Sequence, residues 1–231
     1  MDRRSALKHA GIAGVLAAGV APAVQAQPVL RFRNPREGVV AWDDKVKGRI
    51  EISNDELDDL VIARPAAEGS DSIVGTPTYN FCVVVDDMDM GITHVIRGDD
   101  HISNTPKQIL LYKAFGWEMP VWVHAPLIIG KDRKKLSKRH GSTKFIEFLD
   151  EGYLSEALFN FLVLLGWSSG EDNRELFSRE ELIGRFTLEG IGRSPAVFDY
   201  DKLRWMNGEY IKSMDIKELA KRIRPFVTRA G

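Results

Sequence analysis

At 231 residues the chain has room for one large domain or two small ones, and its 44% hydrophobic content suffices for a buried core. Thirty-two Lys and Arg against 33 Asp and Glu leave a formal charge of -1, so a nucleic-acid partner would need a local basic patch. The single cysteine, Cys82, excludes an intramolecular disulfide framework and a multi-cysteine zinc site, and the five histidines have no metal-ligand spacing.

In chain order, Arg3-Arg4 leads into an apolar, Ala/Gly-rich run from Ala10 to Val24, and Val24-Gln25-Ala26 offers a small-residue cleavage site before Gln27. This is the pattern of a twin-arginine export signal, with Ala6 where a large apolar residue is usual. The competing reading is an amphipathic or disordered tail. Residues 1–27 are expected to stand outside the fold. From Val29 to Ile62, short apolar runs broken by Pro, Gly and Asp predict antiparallel strands, and Ala63–Pro77 reads as a loop. Tyr79–Val85 is ambiguous, because Val83-Val84-Val85 favours a strand. Cys82 in this run reads as a small buried thiol.

Ile92–Ile96 reads as a buried strand that delivers Arg97-Gly98-Asp99-Asp100-His101. Ser103 or Asn104 caps a helix running to Phe115 and stopped by Gly116. Val121–Ile129 reads as one further buried strand. It feeds the densest basic segment of the chain, Lys131 to Gly141, with Lys135-Leu136-Ser137-Lys138-Arg139 at its centre. Cationic side chains, a hydroxyl and exposed backbone N–H groups suit a polyphosphate; the bland reading is a solvated loop. Strand, helix, then strand ending in a charged loop is the pattern of a nucleotide-binding sheet, so the fold class is α/β. Beyond the loop the pattern is helical. Leu154–Leu165 is followed by Gly166, and Ser178 with Glu181 makes a capping box. Asp199 starts a helix ending at Asn207-Gly208, and Asp215 starts one that stops before Pro225. Phe198 and Trp205 are expected in the core rather than as base-stacking platforms.

Several segments fall in a fixed order: Phe32-Arg33-Asn34-Pro35, Thr78-Tyr79-Asn80-Phe81, His94-Val95-Ile96-Arg97-Gly98-Asp99-Asp100-His101, Asn104-Thr105-Pro106, the Lys-Leu-Ser-Lys-Arg loop, and Leu203-Arg204-Trp205-Met206-Asn207-Gly208. From about residue 29 onward this series resembles bacterial glutamyl-tRNA synthetase, a class I aminoacyl-tRNA synthetase. The resemblance implies a partial Rossmann-type fold, with a helix at the ambiguous Tyr79–Val85. Residues 28–77 would be a remnant of the acceptor-binding insertion and 78–150 the second half of the catalytic domain. Residues 151–231 would be a helical stem-contact region with the start of an anticodon-binding domain.

The resemblance implies that Tyr79 and Arg97 bind L-glutamate, a guanidinium being suited to pairing a carboxylate and rejecting the neutral amide. For Arg97 the bland alternative is an ion pair with Asp99 or Asp100. Asp100 would lie near the ATP ribose or the amino group of glutamate, or merely cap the following helix. Lys135 and Lys138 would flank the ATP phosphates as the catalytic cations, with Ser137 and Arg139 beside them and Mg²⁺ carried by the nucleotide. Arg204 and Lys212 are candidate phosphate contacts to tRNA(Glu), or plain surface charges.

The implied protein is a cytoplasmic monomer with no structural zinc and no membrane in the mature chain, which conflicts with the export-like segment. The family's His-Ile-Gly-His motif has no counterpart in the sequence. The expectation is therefore an internal piece of a glutamate–tRNA ligase, unable to aminoacylate alone. Alternatives are a paralogue that glutamylates a tRNA base and an exported, non-enzymatic binding protein.

Overall fold

The computed structural model describes residues 29–68, 70, 72, 74–136, 144–170 and 174–230. The export-like segment lies outside them, as do Ser137, Lys138 and Arg139. The chain divides into two compact units at His124/Ala125, each described by itself.

In the first unit, β2 (Val39–Asp44) and β3 (Gly48–Ser53) form an antiparallel hairpin with Trp42 opposite Ile50. The Asp44 carboxylate accepts from the backbone N–H groups of Val46 (3.0 Å) and Lys47 (2.9 Å), and Gly48 takes the left-handed φ of 81° that closes this turn. Strand β1 (Leu30–Phe32) pairs antiparallel with β4 (Leu60–Ala63). The predicted antiparallel strands are thus present.

Helix α1 (Tyr79–Asp89) resolves the ambiguous segment. Phe81, Val84 and Val85 are buried at helical spacing, so tertiary burial overrides the strand preference of the valine run. Cys82, between them, is only half-buried. Strand β5 (His94–Gly98) leads through a 3-10 segment (Asp99–Asn104) into α2 (Thr105–Phe115), and β6 (Val121–Ala125) returns beside β5. Gly116 ends α2 with φ 66°, and the Trp117 N–H reaches back to the Tyr112 carbonyl, as a left-handed cap requires. Ile92–Ile96 was expected to be buried, but Ile92 and Ile96 are exposed at 36% and 53%. Strand β5 has one hydrogen-bonded neighbour in its two-stranded sheet, so nothing enforces burial of both faces. The core joins Val40, Trp42, Phe81, Val84, Leu111 and Trp122.

The expected strand Val121–Ile129 is broken in two at Pro126, which has no N–H for a ladder. Its second piece, β7 (Ile128–Ile129), opens the second unit and pairs in parallel with β8 (Ala196–Val197). Helices α3 (Phe145–Asp150), α4 (Ser155–Gly166), α5 (Arg179–Arg185), α6 (Tyr200–Ser213) and α7 (Ile216–Ala230) follow. Phe148, Leu158, Phe161, Phe198, Leu203 and Met206 form the core of this unit. The capping box is formed: Ser178 Oγ accepts from Glu181 N–H, and Glu181 accepts from Ser178 N–H at 2.7 Å.

Three helical expectations are corrected. Helix α6 runs past Asn207-Gly208, because Asn207 turns its side chain outward from the helix and accepts from Leu154 N–H at 2.8 Å. Helix α7 contains Pro225 instead of stopping before it. Its first half is clamped by Arg222, which meets Glu156 at 2.9 and 3.1 Å and Glu218 at 2.8 Å. Trp205 is 46% exposed, on the α6 face opposite the buried Leu203 and Met206, whereas Phe198 is buried as expected.

Candidate functional site

Arg97 sits at the end of β5, where the chain turns into the 3-10 segment. Its guanidinium is held on three sides. Nε–H donates to His124 Nε2 at 3.1 Å, Nη2 donates to Thr105 Oγ1 at 2.8 Å and, at 3.5 Å, to the His101 carbonyl, and the Trp122 ring lies 5.1 Å below. Nη1 has no hydrogen-bond partner among the described residues. The ion pair with Asp99 or Asp100 does not form; Asp99 pairs instead with Lys47 at 2.8 Å. Burial lowers the pKa of Arg97, while Tyr79, Asp87 and Asp44 act against that shift electrostatically; the guanidinium remains charged. Tyr79 is exposed at 54%, at the start of α1, with its ring 6.3 Å from that of His101. Asp100 is exposed in the first turn of the 3-10 segment, whose N-cap is Gly98.

Behind Arg97 stands a pair that the sequence reading missed. His124 and Asp44 are buried at 0% and 4%, 80 residues apart, and His124 Nδ1 meets Asp44 Oδ2 at 2.5 Å. The second carboxylate oxygen accepts from the N–H groups of Val46, Lys47 and His124. Burial pushes the Asp44 carboxyl up, but these N–H groups and the His124 ring together outweigh it and hold it below the usual range. Burial pushes the His124 imidazole down more strongly than Asp44 pushes it up. The available signal was a histidine ending the apolar run Val121-Trp122-Val123, paired with an aspartate at a hairpin turn.

The basic loop belongs to the second unit. Gly130 N–H donates to the Lys134 carbonyl at 2.8 Å, Leu136 N–H to the Ile128 carbonyl at 3.1 Å, and Lys135 bridges to Ile129, making a tight reversal. Arg133 occupies the left-handed region at φ 61°. Leu136 packs on the core of this unit, so the backbone under Lys135 is anchored while its side chain is exposed. Lys131 is spent on α6: it pairs with Asp201 at 2.8 Å and with the capping Asp199 at 3.3 Å. On that helix Arg204 is exposed and 3.4 Å from Asp201, and Lys212 pairs with Glu209 at 2.7 Å. Among the described residues no group of three or more His, Cys, Asp or Glu side chains is placed to hold a metal ion, and no helix is long and apolar enough to cross a membrane.

The described elements make up a mixed α/β fold, and known proteins resemble the chain in sequence and in fold. The profile of the family described as tRNA synthetases class I (E and Q), catalytic domain, matches residues 21–205, so the chain belongs to that family. The matched span starts ahead of the Val29 boundary that the motif order implies. The glutamate–tRNA ligase of Paraburkholderia phytofirmans is 56% identical over 210 residues, covering 91% of this chain and 43% of that protein. The glutamate–tRNA ligase of Polaromonas naphthalenivorans is 57% identical over 201 residues, covering 87% and 41%. Among solved structures, a glutamate tRNA ligase from Elizabethkingia meningosepticum in complex with its amino acid superposes with a TM-score of 0.78 at 31% identity, over 88% of this chain and 42% of that one. The chain thus spans less than half the length of the relatives it matches.

Proposed function

We propose that the chain is the part of a glutamate–tRNA ligase that binds glutamate and the ATP phosphates. The observation that carries this is the Arg97 guanidinium, fixed by His124, Thr105 and Trp122 with Nη1 left for a ligand. A fixed cation that carries only donors favours a carboxylate, whose charge it neutralises, over the amide of glutamine, whose NH2 finds no acceptor on it. Tyr79 supplies a hydroxyl beside it, and Asp100 the carboxylate toward the ribose or the amino group of glutamate.

In the reaction, an α-carboxylate oxygen of L-glutamate attacks the α-phosphorus of ATP. A P–O bond forms to give glutamyl-adenylate, and the bond to pyrophosphate breaks. Charge accumulates on the departing pyrophosphate, so Lys135 and Lys138, with Ser137 and Arg139 in the same loop, favour the transition state over the ground state. Mg²⁺ arrives with ATP, held by phosphate oxygens and water. A terminal ribose hydroxyl of tRNA(Glu) then attacks the glutamyl carbonyl, an ester bond forms and AMP leaves; Arg204 and Lys212 contact the tRNA through its phosphates. Residues 28–77, 78–150 and 151–231 serve as acceptor-insertion remnant, catalytic half and stem-contact region, in a cytoplasmic monomer. The names of the relatives favour this reading over a base-glutamylating paralogue.

Calorimetric titration of the full chain with L-glutamate and L-glutamine tests it without requiring turnover. Glutamate is expected to bind at least about tenfold more tightly than glutamine, and Arg97→Lys to weaken glutamate by about tenfold or more. Equal affinity for the two amino acids, or no effect of Arg97→Lys, would count against the proposal.

A further inference from the structure

The hydrogen bonds around Arg97 fix more than a position. Nε of an arginine carries one hydrogen, and here it points at His124 Nε2, 3.1 Å away. That nitrogen must therefore offer a lone pair. A neutral imidazole has one N–H, which then lies on Nδ1, facing Asp44 Oδ2 at 2.5 Å. Asp44 cannot swing away to release it, because its other oxygen accepts from Val46, Lys47 and His124 backbone N–H groups at 2.9–3.3 Å. Thr105 Oγ1, 3.2 Å from the same ring nitrogen, accepts from Arg97 Nη2 and so closes the other side of the fork. The result is a one-directional chain of donors from Arg97 through His124 to Asp44, with both of its inner members out of water.

We infer that Asp44 and His124 are positioning residues for the ligand carboxylate: the Asp44-held, Nδ1-protonated ring of His124 aims the Arg97 fork and so sets the preference for a carboxylate over an amide. The inference rests on the reading of Arg97 as the glutamate-binding group. Its physical basis is that a guanidinium on a flexible stem pays for ordering each time it binds, whereas one held through Nε and Nη2 is ordered beforehand. The polarity matters as much as the contact. A ring with Nε2–H would set donor against donor, and a doubly protonated ring would add a cation beside Arg97. Groups facing the ring are Asp44 from the β2–β3 turn, Arg97 from β5 and Thr105 from α2, with the Trp122 ring stacked at 6.5 Å on its own strand; Asp99 acts on it at longer range.

Two substitutions separate positioning from folding. In His124→Gln the longer amide can place an acceptor near the Nε2 position, and in His124→Asn the shorter amide reaches Asp44 only. Titrations of both full-length variants, with folding checked by amide NMR spectra, should show His124→Gln within about threefold of the parent for glutamate, and His124→Asn weaker by about tenfold with most of the glutamate-over-glutamine preference lost. Equal behaviour of two folded variants, with the parent preference kept, overturns the inference while leaving the role of Arg97 intact. Loss of the effect in Arg97→Lys instead would overturn the role of Arg97 itself.

Long-range proton–nitrogen spectra of the histidine rings provide a ligand-free arm, which also decides the case where either variant fails to fold. The expected signature near neutral pH is an Nδ1-protonated ring for His124 and an Arg97 Nε–H protected from exchange with solvent. An Nε2-protonated or doubly protonated His124 at that pH overturns the inference whatever the titrations give.

Discussion

The two units present their cations in opposite ways. In the first, Arg97 is backed by buried groups whose hydrogen-bonding capacity is taken up by one another. In the second, Lys131, Arg133, Lys134 and Lys135 are exposed on a reversal whose order comes from backbone hydrogen bonds and from Leu136 beneath. Under the function proposed above, the contrast would fit two different ligand demands. Telling a carboxylate from an amide needs a donor whose direction is fixed before binding, and direction is fixed cheaply only where water is excluded. Stabilising charge that spreads over phosphate oxygens needs positive potential more than direction, and long exposed lysines supply it.

The largest expected effect tests the buried side. Asp44→Ala removes the acceptor of three backbone N–H groups and of the His124 ring, leaving several buried donors unpaired. A loss of about 3 kcal/mol in unfolding free energy is expected, measured by urea denaturation, with faster hydrogen exchange concentrated in β2, β3 and β6. A loss below about 1 kcal/mol would mean that water replaces the carboxylate and that the site is not dry.

Acid should act on the same pair. His124 is held below its ordinary 6.5, so as pH falls under that value the unfolded chain takes up a proton that the folded chain refuses. Its contribution to stability is complete above about 6.5 and declines below, with a slope of up to about 1.4 kcal/mol per pH unit until the folded-state value is reached. Asp44, also held below its ordinary 3.8, contributes above that value and loses the contribution as pH falls through its lower folded value. Both shifts therefore point to acid loss and neither to alkaline loss. Thermal melts of the parent and of His124→Gln between pH 7 and 5 should diverge in the parent's disfavour, and parallel curves would remove His124 from the account.

Tyr112 offers a smaller effect of opposite sign. It is 1% exposed and its hydroxyl has no partner among the described residues, while burial, with Asp87 nearby, pushes its pKa up to about 12. Tyr112→Phe removes a desolvated hydroxyl and keeps the ring contacts with Trp117 and Trp122. A gain of about 1 kcal/mol is expected by denaturation, and a loss of that size would reveal a water partner.

How much of this was legible in the sequence follows the range of the interactions. The β2–β3 turn, the glycine stop of α2 and the capping box of α5 were readable, because each is decided within a few residues. The reversal that opens the basic segment, Gly130 to Leu136, was readable for the same reason. Helix α1 was implied by the family resemblance but not by its own residues, since its valines are judged by what Val84 and Val85 pack against. Asn207-Gly208 and Pro225 carry local stop signals that distant partners override: Leu154 for the first, Glu156 for the helix that holds the second. The Asp44–His124 pair is the extreme case. Each residue looks ordinary in its own segment, and only their meeting makes Arg97 a fixed fork.

The smallest effect sharpens the exposed side. Lys131 bridges Asp199 and Asp201, which raises its own affinity for protons, chiefly through the Asp201 hydrogen bond. All three groups are at least 43% exposed, so salt and water screen the pair. Asp199 also caps α6 through the N–H groups of Asp201 and Lys202, and that cap survives when Lys131 is removed. Lys131→Ala should therefore leave the melting temperature unchanged at physiological salt, whereas Asp199→Ala should lower it by an amount that salt does not abolish. If Lys131→Ala were instead the more damaging of the two, the loop would be braced by its charges rather than by its backbone, and the contrast between the two units would fail on this side.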